Sequence, residues 1–246
     1  MRRGNRRAAT ATPAGALGRG GRGRVAPAEG GLRAVHQQVL RSFAIAGRPP
    51  AASDLNETAA WYGTTVAAVL GSLHTGDFLQ LGADGQIRAA YPFSAVPTPH
   101  QVDLDGGLRV YAMCAIDALG IAAMIHAAVT ITSADPHTGD PITITVQADG
   151  ATAAWQPPAT VVFSGRHASR GCDTRGPVQV IPAAADVSCG YVNFFSNSPS
   201  AAAWASDHPE ATGEILDQPA ALRLGTAIFG PLLAAIGERP GGGAQQ

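Results

Sequence analysis

Apolar residues in the first third of the described sequence recur at helical spacing. Leu32, Val35, Val39 and Phe43 lie three or four residues apart. The spacing predicts an amphipathic helix over residues 32–48, stopped by Gly47 and the Pro49-Pro50 pair. Ser53, followed by Asn56 and Glu57, offers the start of a short second helix that ends at Gly63. Thr64 and Thr65 precede a third helix over 66–74, with Val66, Val69, Leu70 and Leu73 on one face. Residues 78–81 and 86–91 then flank a turn at 82–85 that contains two glycines and an aspartate. Three helices followed by a hairpin is the outline of a winged helix.

After Pro97-Thr98-Pro99-His100 the pattern changes, and the expected domain boundary falls at 96/97. A strand is expected over 108–112. The stretch 114–126 is apolar nearly all round, which predicts a buried helix. Residues 129–133 and 141–147 alternate in strand fashion about a turn at 135–139. Further strands are expected over 160–164, 178–181 and 191–195, with a polar, glycine-bearing loop from Gly165 to Gly176. Helices are expected over 198–207, with Pro199 in the first turn, and over 222–236. The expected fold class is therefore α+β: a winged-helix-like N-terminal unit over 32–96, then a core of short, mostly antiparallel strands with packed helices over 97–237. Residues 1–31 and 238–246, rich in Arg, Ala and Gly or in Gly alone, are expected to be disordered tails.

Composition narrows the function classes. Of 246 residues, 46% are hydrophobic and 14% charged, enough to build a core without disulfide staples. The net charge of -1 hides an asymmetry, because seven of the 17 basic residues fall in the first 24 positions. The rest is acidic, and the third helix carries no arginine. Nucleic-acid binding, which needs cations for phosphate, is not expected. No apolar run reaches the ~18–20 residues of a membrane span. Three cysteines are too few for a disulfide framework and point to a reducing, cytoplasmic setting.

Those cysteines carry the candidate chemistry. Cys114 and Asp117, three apart at the start of the buried helix, share a face. The helix N-terminus favours the Cys114 thiolate, whereas burial raises the Asp117 carboxyl and makes it a proton donor. Cys189 precedes the strand in which Val192 and Phe194 should face one way and Tyr191, Asn193 and Phe195 the other. It gains weight only if the fold sets it beside Cys114. Cys172, between Arg170 and Arg175 in the polar loop, is a candidate accessory thiol. Read from residue type and spacing alone, each cysteine is also an ordinary small core or loop residue. No C-x-x-C, zinc, P-loop or nucleophile-elbow motif is present.

At these residues the chain resembles the alkylmercury (organomercurial) lyases. It matches a Tyr-Ala-x-Cys-Ala-x-Asp segment at Tyr111 to Asp117 and a Thr-Gly-x-Pro turn from Thr138. It also has a second cysteine, Cys189, before a Val-x-Phe-Phe strand, and a Trp-Ala-Ser-x-His segment from Trp204 to His208. The resemblance spans about residues 32–237. It implies protonolysis of a carbon–mercury bond to a hydrocarbon and Hg(II), as part of mercury detoxification. Cys114 and Cys189 would be the mercury ligands and Asp117 the proton carrier, with Asp117 a further candidate ligand. No organic cofactor is implied, and Hg(II) would pass to small thiols or to a mercuric reductase. The chain departs from the pattern at Gly190, where relatives often carry an extra cysteine. Asp135 stands where another family cysteine lies, and Met113 where a tryptophan is frequent. The alternatives are a non-catalytic mercury or copper(I) carrier using the same thiols, and a metal-responsive regulator using the winged-helix outline.

Overall fold

The computed structural model describes residues 26–168 and 183–234. The first layer is helical: α1 (Gly30–Ala46), α2 (Asn56–Trp61) and α3 (Val66–Thr75). The helix α1 begins two residues before the spacing predicts, because the Glu29 carboxylate caps it. That carboxylate accepts from the Gly31 and Leu32 amides at 2.8 and 2.6 Å. Val35, Val39 and Phe43 face the core as expected, and Gly47 ends the helix at φ 70°, a left-handed value that suits glycine. In α3 the buried residues are the predicted four, Val66, Val69, Leu70 and Leu73, and Thr65 caps the start.

Eight strands form one antiparallel sheet. They are β1 (Leu79–Leu81), β2 (Ile87–Ala90), β3 (Phe93–Ser94), β4 (His100–Leu104), β5 (Arg109–Ala112), β6 (Val129–Ala134), β7 (Pro141–Val146) and β8 (Ala153–Gln156). Their order is β1-β2-β3-β5-β4-β6-β7-β8. The hairpin read from the sequence is β1–β2, and it forms the outer edge of this sheet. The expected boundary at 96/97 falls between β3 and β4, within the sheet.

A second, three-stranded antiparallel sheet has the order β10-β9-β11, from β9 (Val161–His167), β10 (Val192–Phe195) and β11 (Ala211–Leu216). The strand β9 runs three residues into the expected loop. It does so because Gly165, Arg166 and His167 pair with Gly213, Thr212 and Ala211 of β11, a strand without a clear alternating pattern. The rest of that loop, Cys172 and the strand expected at 178–181 lie outside the described residues, as do most of the two expected tails. The remaining helices are α4 (Ala115–Ile125), α5 (Ala184–Val187), α6 (Ser198–Asp207) and α7 (Gln218–Phe229). The last starts four residues earlier than expected, capped by Asp217, and gives way to a 3-10 turn at Gly230–Leu233.

The helix α4 is the centre of the core, with every residue from Ala115 to Met124 buried. It lies against α7 at a contact only glycine permits. A Cβ on Gly120 would stand 2.6 Å from the Gly225 carbonyl oxygen and 2.5 Å from the Phe229 ring. A Cβ on Gly225 would stand 2.9 Å from the Gly120 nitrogen. Two missing side chains let the backbones approach and fix the height of α4 in the core.

Candidate active site

The site is built from the N-terminus of α4 and the turn before β10. Cys114 ends the β5 connection and is the N-cap residue of α4, in extended backbone. Asp117 is one turn into the helix and 2% exposed. Cys189 opens a 3-10 turn, Cys189–Tyr191, between α5 and β10. The fold brings these segments together: Cys189 is both a hydrogen-bonding partner and an electrostatic neighbour of Cys114, and the Asp117 charge acts on the same sulfur. Both cysteines are buried and free of disulfide. Among the described residues, no three His, Cys, Asp or Glu side chains are arranged to hold one metal ion.

One expectation is overturned. The helix N-terminus was to favour the Cys114 thiolate, but the thiol is pushed well above the ordinary range. Burial is the largest cause, followed by the bond to Cys189 and the Asp117 charge, and only the Asp117 amide pulls the other way. Cys114 makes no side-chain cap hydrogen bond to the helix. The magnitudes explain the outcome. A helix end stabilises an exposed charge by ~0.3–1 kcal/mol, whereas full burial shifts a group by up to ~3–5 pKa units. Cys114 therefore rests as a neutral thiol.

The surroundings of Cys189 come from distant parts of the chain, and the sequence pattern did not reveal them. His100 of β4 is buried opposite Ala112, two residues before Cys114. Its Nδ1 lies 3.0 Å from Ser133 Oγ, its ring meets Phe194 edge-on, and the Asn193 side chain also bonds it. Asn193 in turn donates to the Gly190 carbonyl at 3.1 Å, one residue past Cys189. Burial, the larger influence, depresses the His100 pKa to about 4, so the ring is neutral. Val192 and Phe194 join the main core and Phe195 the smaller cluster around Trp204, as the alternation predicted. A Cβ on Gly190 would meet nothing within 4 Å, so packing does not demand glycine there.

Asp135 ties the β6–β7 turn to the chain beyond β10. Its carboxylate accepts from the His137 amide at 2.9 Å, the Ser196 amide at 2.8 Å, Ser196 Oγ at 2.9 Å and Ser200 Oγ at 2.7 Å. Burial alone would raise its pKa, but these donors outweigh it and hold the carboxyl below its usual range.

Two thiols and a carboxylate, buried together, define a site suited to a soft, thiophilic atom and a proton transfer. Comparison with known proteins points the same way. The family model for alkylmercury lyase matches residues 93–230. An alkylmercury lyase of Staphylococcus epidermidis is 31% identical over 158 residues, covering 64% of this chain and 67% of that protein. One from Pseudomonas putida is 30% identical over 174 residues, covering 67% and 70%. The solved mercury-bound form of MerB2 superposes with a TM-score of 0.62 at 25% identity, over 84% of this chain and all of that one. The chain belongs to the alkylmercury lyase family and is an enzyme of that class.

Proposed function

We propose that this enzyme cleaves the carbon–mercury bond of alkyl- and arylmercury compounds by protonolysis, with Cys114, Cys189 and Asp117 as the reacting groups. The observation that carries the reading is the direct interaction of the Cys114 and Cys189 thiols with the Asp117 charge beside them in one buried place. Soft sulfur suits soft mercury. The substrate exchanges its labile ligand for one thiol, which releases a proton. Asp117 accepts the proton of the second thiol as that sulfur binds. Two sulfur donors make the carbon more basic, and Asp117 returns the proton to it. The hydrocarbon leaves, and Hg(II) stays on two thiolates until external thiols, or a mercuric reductase, exchange it away and reprotonate the cysteines. No oxidant or reductant enters. The neutral resting state of Cys114 fits this sequence, because its thiol then has a proton to give up when mercury binds.

In this reading residues 97–237 are the catalytic core, and 32–96 form a winged-helix-like unit with a structural role, since α3 carries no arginine. No helix among the described residues is long and apolar enough to cross a membrane, and we place the enzyme in the cytoplasm, where thiols stay reduced. The test is benzene release from phenylmercury. Cys114→Ser and Cys189→Ser should each abolish it, and Asp117→Ala should abolish turnover while mercury still binds. Mercury binding by the wild type without benzene would identify a thiol carrier instead, and full benzene release from Asp117→Ala would remove the carboxylate from the mechanism.

A further inference from the structure

The second thiol depends on a helix that does not hold itself. The helix α5 has four residues, and its N-cap, Ala183, makes no side-chain cap bond. Helices this short do not form unaided, and the first amides of any helix lack partners within it. Here two side chains far away in sequence accept them. The Ala184 amide donates to Asp77 Oδ2 at 3.0 Å, and the Ala185 amide to the Tyr91 hydroxyl at 3.1 Å, across 107 and 94 residues of chain.

The acceptors are themselves fixed. Tyr91 Oη donates to Asp77 Oδ1 at 3.2 Å, and Gln80 Nε2 donates to the same oxygen at 2.7 Å. Asp77 and Tyr91 are both buried. Asp77 has φ 61°, a left-handed conformation that aspartate tolerates better than most residues. From α5 the bonding continues: the Ser188 amide donates to the Ala184 carbonyl at 2.8 Å, and the Tyr191 amide to the Ser188 carbonyl at 2.8 Å. An unbroken run of hydrogen bonds thus joins the Asp77 carboxylate to the turn that carries Cys189.

We infer that Asp77 and Tyr91 are positioning residues that set Cys189 against Cys114, an inference that rests on the reading of Cys189 as a mercury ligand. They act by supplying the cap that α5 lacks. A displacement of about 1 Å at a reacting group can lower a rate by about a hundredfold, so loosening α5 lowers turnover while Cys114 still captures substrate.

The test uses the full chain and two readouts. One is the rate at which iodoacetamide alkylates Cys189 without mercury, followed by peptide mass spectrometry. The other is kcat and KM for benzene release from phenylmercury. Tyr91→Phe deletes one hydroxyl and keeps the ring. It should speed Cys189 alkylation severalfold and lower kcat by about tenfold, with KM changed by less than about twofold. Asp77→Ala should do more, and Asp77→Asn should recover much of the loss, because its amide oxygen still accepts from Ala184. If Asp77→Ala fails to fold, Tyr91→Phe decides. Unchanged Cys189 alkylation in Tyr91→Phe overturns the inference, and so does faster alkylation with kcat intact. The alkylation readout contains no mercury, so it stands apart from the ligand reading. That reading falls separately if Cys189→Ser retains turnover.

Discussion

Cys114 and Cys189 meet in one site but are held there in opposite ways. Cys114 stands between β5, which is paired on both sides, and α4, an eleven-residue helix buried almost throughout and set against α7 through Gly120 and Gly225. Nearly all that fixes it lies within a short stretch of sequence or in one helix contact. Cys189 stands between a four-residue helix and the edge strand β10. Its supports arrive from Asp77, Tyr91, His100 by way of Asn193, and Asp135 by way of Ser196. Apolar packing makes the first thiol a rigid reference. Polar bonds from distant positions dock the second onto it, so the geometry of the pair is most easily changed on the Cys189 side.

The sharpest way to break that asymmetry is at Asp135. Asp135→Ala leaves the Ser196 amide, Ser196 Oγ and Ser200 Oγ without their acceptor. At about 1–3 kcal/mol for each buried donor, the loss should be about 3 kcal/mol or more, read as a lower urea midpoint with an unchanged m-value. A loss under about 1 kcal/mol would show that the chain after β10 is held by packing instead.

The same asymmetry decides what was legible in the sequence. The faces of α1 and α3, the all-apolar α4 and the alternation in β10 follow from periodicity, because each buries a regular set of positions. Cys114 and Asp117 were readable as a pair for the same reason. The strands β3, β4, β8 and β11 and the helix α5 were not. They are short or half-polar, and their partners in the fold decide their state. The mutual contact of Cys114 and Cys189 was an expectation only through the family resemblance. Asp77, Tyr91 and His100 gave no local signal at all, since their roles exist only across gaps of about a hundred residues or less direct relays. The Cys114 thiol was misjudged because a helix start is visible in sequence, whereas the depth of burial that outweighs it is not.

Acid offers the next largest effect, and it bears on both regions. His36 of α1 and His100 of β4 are each depressed to about 4, chiefly by burial. An unfolded histidine titrates near ~6.5. Between those values the unfolded chain binds a proton at each site that the folded chain does not. Stability therefore falls as pH drops through that window, by about 1.4 kcal/mol per unit per histidine, or about 2 kcal/mol each at pH ~5. His100→Gln should flatten the part of the acid loss that His100 contributes, and an unchanged slope between pH ~6.5 and ~4 would assign that loss elsewhere.

On the Cys114 side, Gly225→Ala drives a methyl toward the Gly120 nitrogen and the Ile116 carbonyl, both 2.9 Å from where it would sit. Backbone cannot swing aside as a flexible side chain does, so overpacking of about 1–3 kcal/mol is expected. Turnover should fall too, because α4 carries both Cys114 and Asp117. A stable variant with normal turnover would mean that α4 tolerates a shift, and that Cys114 is less rigid than the contact suggests.

The smallest effect is a displacement on the pH axis, and it tests the electrostatics of the pair directly. An ordinary cysteine becomes thiolate near pH ~8.5, and only the thiolate reacts with iodoacetamide. Burial, the Cys189 bond and the Asp117 charge all raise the Cys114 pKa, so its alkylation should be slow at neutral pH and rise only above the ordinary thiol range. Asp117→Asn removes one of the contributions that raise it and should move the rise to lower pH without abolishing it, since burial is the largest. Cys189→Ser, which removes the thiol partner, should move it the same way. A rise already complete by pH ~8 in the wild type would mean that the helix end outweighs burial after all. The thiolate would then exist before mercury arrives, and Cys114 would have no proton to give up when it binds.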